Sequence, residues 1–228
     1  MNDQFPGERV KNGIERIVFL PVRVRHRRRA RAKGKARIDA LGTVQNTLRG
    51  ATRLKAGSAR TVFNVGMYVL LLDQDIACFT DDLACAIGDR RRAFLAKHEA
   101  VLLYEAGEDL PQLLAREFRD SVNALGASAE QVARVNSVSS DLNQLWQRHR
   151  EFLGIIRNAL AAHRDHDALS YADALETLKP LEVMSRAAEL SQLLERLVGV
   201  ITELASLTAG PGAILRDMLA TSKKSKAG

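Results

Sequence analysis

Aromatic residues and prolines are scarce in this sequence. Only 5% of the residues are aromatic and only 5 are proline, whereas 46% are hydrophobic. Strands are enriched in aromatic and β-branched residues, and helices in Ala and Leu, so this composition favours helices. A length of 228 residues allows one sizeable domain with an appendage. We therefore expect an all-α fold with a single core.

Cysteine is also rare, with Cys78 and Cys85 the two copies. On a helix their Cα atoms would lie about 10 Å apart, which is too far for a disulfide. Neither has a further Cys or His at ligand spacing, so a zinc site is not expected. The sequence predicts no disulfide, no metal, no cofactor and a reducing compartment.

Long apolar runs are missing as well. The run Val69–Leu72, for example, is closed by Asp73 and is far shorter than the roughly 20 residues that cross a bilayer. The first residues, MNDQFPGERVKNG, lack the basic-then-apolar order of a secretory signal. We expect a cytoplasmic protein without membrane contact.

Acidic residues are sparse in the first quarter of the chain. Residues 1–60 hold 16 Lys and Arg against 4 Asp and Glu, and residues 23–37 contain no acidic residue at all. Such a block tends to stay disordered or to become helical on an anionic partner. It is either a phosphate-binding arm or a solvated tail, and its lack of aromatic residues argues against base stacking. The candidate nucleic-acid contacts are Arg25, Arg27, Arg28, Arg29, Arg31, Lys33 and Lys35.

Beyond this arm, apolar residues recur at steps of three and four, which is typical of amphipathic helices. The pattern predicts an antiparallel bundle of four to five helices over residues 61–212, followed by a short helix and a basic tail over 213–228. Breaks are predicted at Gly88, between Gly107 and Pro111, and at Gly126. Ser128 and Gln131 have the spacing of a capping box, and Pro180 can open the last long helix.

Other titratable residues favour structural roles. His98 falls on the predicted apolar face of the second helix, where a histidine is usually a packing residue. Asp73, Asp75, Asp81 and Asp82 lie along the first predicted helix, and we interpret them as its solvated face rather than a metal site.

The heptapeptide RNALAAH, residues 157–163, ends the fourth predicted helix. It places the polar residues Arg157, Asn158 and His163 where an apolar-patterned helix ends. On one straight helix Arg157 and His163 would point about 120° apart, with about 9 Å between them along the axis. They can converge only at a helix end or through a second copy of the chain, arranged around a two-fold axis. An imidazole that exchanges a proton and a guanidinium that stabilises phosphate charge suffice to cleave RNA through its own 2′-hydroxyl without metal.

The order Arg157, Asn158, four residues, His163, at the end of a long helix in an all-helical chain, resembles the Arg-polar-x4-His motif of the HEPN superfamily. The resemblance covers roughly residues 65–208. It implies a helical bundle, a homodimer with a composite cleft, and metal-independent endoribonuclease activity in toxin or abortive-infection systems, with an antitoxin or defence partner. By this resemblance Arg157 and His163 would be catalytic and Asn158 the accompanying polar residue. Asp165 stands where one branch of the superfamily has a Tyr, so modification by a nucleotidyltransferase partner is not supported.

Other interpretations of the same residues stay open. Arg157 and Asn158 can bond the last carbonyls of a helix, and His163 suits the negative end of a helix dipole. The chain could instead be a non-catalytic helical module that binds nucleic acid or a partner protein through the arm and the bundle surface. A purely structural dimer is the third possibility.

Overall fold

The computed structural model describes residues 20–162 and 178–208. Helices are the regular elements in these two ranges, and the described chain is all-helical. In chain order they are α1 Leu20–Arg53, α2 Gly57–Cys85, α3 Asp89–Leu113, α4 Arg116–Ala124, α5 Ala129–Ala162 and α6 Pro180–Thr208. The expected short helix and tail over 213–228 lie outside the described residues.

The chain divides into two compact units, each with its own buried side chains. Unit 1 comprises Met1–Lys35, Asp75–Tyr104 and His149–Ala188, and unit 2 comprises Ala36–Gln74, Glu105–Arg148 and Glu189–Gly228. The fully buried side chains of unit 1 include Ile76, Ala96, Val183 and Ala187. Those of unit 2 include Val44, Phe63, Leu110, Leu114, Phe118, Leu194, Leu197, Ile201 and Leu204. All of α1, α2, α3, α5 and α6 contribute residues to both units.

Helix α1 contains the basic run and continues well beyond it. The sequence predicts a basic arm over residues 1–60, whereas residues 20–53 form one helix in the structure. Val44 and Ala51 on its later turns are buried. Arg37, at the end of the basic run, pairs through Nε with the Asp73 carboxylate on α2. The later half of this segment is therefore packed into unit 2.

Helix boundaries with strong local signals lie where the sequence places them. Ser128 and Gln131 form the predicted capping box: the Ser128 N–H donates to Gln131 Oε1 at 2.9 Å, and the Gln131 N–H donates to Ser128 Oγ at 3.2 Å. Gly88 and Gly126 separate helices with φ of 86° and 82°, a left-handed conformation that side chains disfavour. Pro180 opens α6 as predicted.

The predicted break between Gly107 and Pro111 is wrong, because α3 runs through both residues to Leu113. Pro111 lies in the last turn, where its missing N–H removes only one hydrogen bond before the helix ends. Asp109 does not cap a new helix. Its carboxylate accepts a 3.0 Å hydrogen bond from the Tyr68 hydroxyl on α2.

Helix α2 is the one described helix that is long and apolar enough to cross a membrane by length and composition. Half of its most apolar window is buried inside the structure, and the core helix of a bundle meets the same criteria. Within this helix Asp73 is only 3% exposed and is paired with Arg37. Burial against other parts of unit 2 accounts for the apolar character of α2 in this region.

Candidate functional site

Arg157 and Asn158 lie near the end of α5, in unit 1, and both side chains are exposed. The Arg157 guanidinium forms no ion pair with any described residue, and the Asn158 side-chain amide has no hydrogen-bond partner there. Exposed, uncommitted donors of this kind can bind an anionic group from outside the protein.

The contact that orients Arg157 comes from Tyr104 on α3. The guanidinium carbon lies 5.7 Å from the centroid of the Tyr104 ring, within the range of a cation–π interaction. The same ring packs on α5 one turn earlier, where a Cβ added to Gly154 would be 3.5 Å from Tyr104 Cε2. The Tyr104 ring thus contacts the Arg157 guanidinium, which forms no ion pair with a described residue. Tyr104 was not among the residues selected from the sequence, because its contact partner lies 53 positions away.

His163 lies outside the described residues, as do the predicted cap at Ser170 and Asp173 and the charged turn before it. Helix α5 extends to Ala162, the residue immediately before His163. Of the three motif residues, the structure therefore describes Arg157 and Asn158.

The candidate nucleic-acid contacts all lie on α1, within the part of that helix that belongs to unit 1. Arg28, Lys33 and Lys35 are exposed. For Arg25, Arg27, Arg29 and Arg31 only the helical backbone is described. The backbone thus carries the predicted cations on one continuous helix in the unit that also holds Arg157.

A buried carboxyl group in the same unit was missed by the sequence analysis. Glu99 on α3 is 0% exposed. The Thr80 hydroxyl on α2 donates to Glu99 Oε1 at 2.6 Å, and Glu99 Oε2 is buried without a hydrogen-bond partner among the described residues. Burial raises the pKa of Glu99 to about 7, against the smaller opposing effect of the Thr80 hydrogen bond. The signal in the sequence is one acidic residue, Glu99, among the apolar residues of the buried face of α3.

His98, the residue before Glu99, points away from the buried face of α3. The sequence places it on the apolar face, but it is exposed, and its ring meets Phe94 edge-on with 4.5 Å between centroids. Phe94 is itself 56% exposed. Partial burial lowers the pKa of His98, and Lys97 lowers it further. The buried face of α3 is formed instead by Leu95, Ala96, Glu99, Ala100 and Leu103.

The aspartates of α2 do not share one environment. Asp75 and Asp82 are exposed, as expected of a solvated face, but Asp73 is buried and paired with Arg37. Within residues 20–162 and 178–208 no group of three or more His, Cys, Asp or Glu side chains could hold a metal ion. Cys78 and Cys85 are free thiols, as predicted from their spacing.

In comparisons with known proteins, no family model, no curated protein and no solved structure matches the chain.

Proposed function

We propose that the protein is a metal-independent endoribonuclease of the HEPN type, with Arg157 and His163 at the reaction centre and Asn158 beside them. The observation that carries the proposal is the Arg157 guanidinium, which is exposed, rests on the Tyr104 ring and has no carboxylate partner among the described residues. A guanidinium left open in this way is suited to bind a phosphodiester through two parallel hydrogen bonds. The all-helical fold of residues 20–162 and 178–208 and the resemblance of the heptapeptide to the HEPN motif support the same assignment.

In this proposal the protein brings a proton acceptor and a cation to RNA that supplies its own nucleophile. The neutral His163 imidazole takes the proton of a ribose 2′-hydroxyl, whose oxygen then bonds to the adjacent phosphorus. The bond from phosphorus to the 5′-oxygen of the next nucleotide breaks, and that oxygen takes a proton from a protonated His163 imidazole. Arg157 stabilises the charge on the phosphoryl oxygens. The products are a 2′,3′-cyclic phosphate and a 5′-hydroxyl, and DNA is not a substrate because it lacks the 2′-hydroxyl.

The proposal includes a homodimer, because two copies of α5 related by a two-fold axis bring both arginines and both histidines to one cleft. It also includes an antiparallel arrangement of the long helices, a cytoplasmic location, and a toxin or phage-defence role with an antitoxin or defence partner. The exposed cations of α1 would attract RNA to the unit that holds Arg157.

The experiment is a cleavage assay on a structured RNA in excess EDTA. His163→Ala and Arg157→Ala should each lower the cleavage rate by at least about a hundredfold, the usual effect of removing an acid–base group or a charge-stabilising donor. Arg150→Ala, which changes another exposed arginine two turns earlier on α5, is the matched control and should cleave normally. Equal cleavage by all three variants with unchanged helicity would refute the assignment.

A non-catalytic module that binds nucleic acid is the second candidate, favoured by the exposed Arg28, Lys33 and Lys35 on one helix. Deleting residues 1–60 cannot test it cleanly, because Val44 and Arg37 belong to the packed part of α1. The triple change of these three residues to Gln removes charge without removing the helix. Under this alternative it should weaken RNA binding and reduce its salt dependence, while changes at Arg157 leave binding intact.

A further inference from the structure

An exposed aromatic ring stands near the start of α3, in unit 1. The ring belongs to Phe94, which is 56% exposed. Over Asp89–Leu113, all of which the structure describes, Phe94 is the one exposed large hydrophobic side chain. A phenyl ring in water forgoes the free energy of burial, which a ligand that covers the ring recovers.

Two neighbouring side chains contact the Phe94 ring. The His98 ring meets it edge-on with 4.5 Å between centroids, and His98 is exposed as well. The Lys97 ammonium lies 5.5 Å from the centroid of the Phe94 ring, within the range of a cation–π interaction. These contacts restrain the phenyl ring without covering it, since more than half of Phe94 remains exposed. The ring is therefore held in place and open, with a cation beside it.

Two arginines extend the positive charge on the same face of the helix. At about 100° per residue, four side chains point within about 60° of Phe94, over about 12 Å of helix. They are Arg90, Arg91, Lys97 and His98, which together with Phe94 we call the Phe94 surface. Arg90 and Arg91 are exposed, and neither forms an ion pair with a described residue. The acidic residue at this end of the helix, Asp89, pairs with Arg92 at 3.4 Å.

The combination of one ring with several cations decides what can cover this surface. The cores of protein–protein interfaces are depleted of charged residues, lysine included. A second copy of the chain placed on the same surface would bring like charges together. Insertion into a membrane needs a wider apolar face than one phenyl ring. A strand of nucleic acid fits both parts of the surface, because it supplies phosphates for the cations and a flat base for the ring.

A base that stacks on Phe94 has to be unpaired. In a duplex the faces of each internal base are covered by its neighbours, whereas single strands and loops can turn their bases outward onto aromatic side chains. Such stacking tolerates any base, because every base has a π-face. The Phe94 surface therefore favours single-stranded segments without a strong preference for sequence.

We infer that the Phe94 surface binds an unpaired segment of RNA, with one base stacked on the Phe94 ring and neighbouring phosphates on Arg90 and Arg91. The inference deepens the proposed function and rests on it for the choice of RNA over single-stranded DNA. Phe94 and Tyr104 lie on the same helix, about 15 Å apart along its axis, and Tyr104 contacts Arg157. A few nucleotides span that distance, so a strand held at Phe94 can extend to the proposed reaction centre.

The test measures the binding of a fluorescent 2′-O-methyl oligoadenylate to the full chain by anisotropy. The methyl group blocks cleavage through the 2′-oxygen, so binding is measured whether or not the protein is a ribonuclease. Phe94→Leu keeps an apolar side chain but removes the ring, and it should weaken binding by about fivefold or more, the effect of losing one stacked base. Phe94→Trp should bind at least as tightly as wild type. Leu181→Ala, a change at a 79% exposed apolar residue of the same unit, is the matched control and should bind normally.

The salt dependence of the affinity measures the contribution of charge. The double change of Arg90 and Arg91 to Gln should lower the slope of log affinity against log salt by about 1.4, since each phosphate contact of a single strand contributes about 0.7. The double change of Arg53 and Arg60 to Gln removes the same charge from exposed positions of unit 2 and should leave the slope unchanged.

Three results would overturn the inference. They are binding by Phe94→Leu that equals wild type, a duplex of the same sequence bound as tightly with the same dependence on Phe94, and a Phe94→Leu variant that sediments as a monomer where wild type is a dimer. The last result would assign the ring to a contact between copies. Binding that depends on Phe94, in a protein that leaves unmodified RNA intact, would support the Phe94 surface and refute the ribonuclease. Cleavage without such binding would do the reverse.

Discussion

The Thr80 hydroxyl and the Glu99 carboxyl form a 2.6 Å hydrogen bond between α2 and α3, inside unit 1. Glu99 is fully buried, and its second oxygen has no partner among the described residues. A carboxyl group in this setting favours its neutral form, because a charge there would lose its hydration without gaining a counterion. The relationship makes the stability of unit 1 dependent on pH.

The sign of this dependence follows from the pKa, which rises from 4.5 in the unfolded chain to about 7 in the folded one. The contribution of neutral Glu99 is fully present below pH 4.5 and is lost as the pH rises through about 7. The loss amounts to about 3 kcal/mol. Glu99→Gln, which keeps a neutral acceptor for Thr80, should therefore stabilise the protein at pH 8 and have little effect at pH 5.

Urea unfolding at several pH values measures this difference. Glu105→Gln, a change at an exposed carboxylate on the same helix, is the control and should follow the wild-type curve. Parallel stability curves for wild type and Glu99→Gln between pH 5 and 8 would show that Glu99 is not the titrating group.

The buried pair of Arg37 and Asp73 anchors α1 to α2 in unit 2. Asp73→Leu leaves the partly buried guanidinium without its carboxylate and should cost about 3–5 kcal/mol of stability. The double variant Arg37→Met with Asp73→Leu should recover most of that loss, because the uncompensated charge is gone. Asp141→Asn breaks the more exposed pair with Arg196 and should cost no more than about 1 kcal/mol. Chemical unfolding of the four proteins gives the comparison.

Gly107 lets α3 approach the single tryptophan of the chain within unit 2. A Cβ at this position would be 2.2 Å from Trp146 Cε3, so Gly107→Ala forces the ring to move. We expect a loss of about 1–3 kcal/mol and a changed Trp146 fluorescence spectrum. Gly199→Ala on α6 is the control: a Cβ there meets nothing within 4 Å, and the change should stabilise the helix by about 0.5–1 kcal/mol. An unaltered spectrum in Gly107→Ala would contradict the close packing.

Tyr104 is expected to position Arg157 rather than to contact RNA. An exposed cation–π contact contributes about 0.5–1 kcal/mol, so Tyr104→Leu should lower the proposed cleavage rate by about two- to fivefold. Tyr104→Phe keeps the aromatic face and should restore the wild-type rate. If the phenylalanine variant is as slow as the leucine variant, the ring acts through its hydroxyl and the positioning role is refuted.

Features encoded by neighbouring residues were predictable from sequence. The capping box of Ser128 and Gln131 and the helix start at Pro180 follow from local backbone chemistry, which a short window contains. The prediction at Pro111 is wrong because a proline in the last turn of a helix gives the same local sequence signal as a proline in the first turn. Locally ambiguous signals are settled by packing, here by the buried Leu110 and Leu114 on either side.

Contacts between distant residues were not predictable. Arg37 and Asp73 are 36 positions apart, and each looked like an ordinary solvated charge in its own segment. The exposure of Phe94 and the burial of Glu99 were not predictable either, because each is the reverse of what its residue type favours. For the candidate site the motif at residues 157–163 was visible in the sequence, but the Tyr104 ring under Arg157 emerges only when α3 and α5 are folded together.

The central claim is that this chain cleaves RNA through the 2′-hydroxyl of the substrate, and the chemistry of the product ends tests it most directly. An oligoribonucleotide is incubated with the protein in EDTA, its cleavage site is mapped, and the same strand is then made with a single 2′-deoxy residue at that site. The account predicts a 2′,3′-cyclic phosphate and a 5′-hydroxyl from the first strand and no cut at that position in the second. Products with a 3′-hydroxyl and a 5′-phosphate, no cleavage of the first strand, or a cut at the 2′-deoxy position of the second would contradict it.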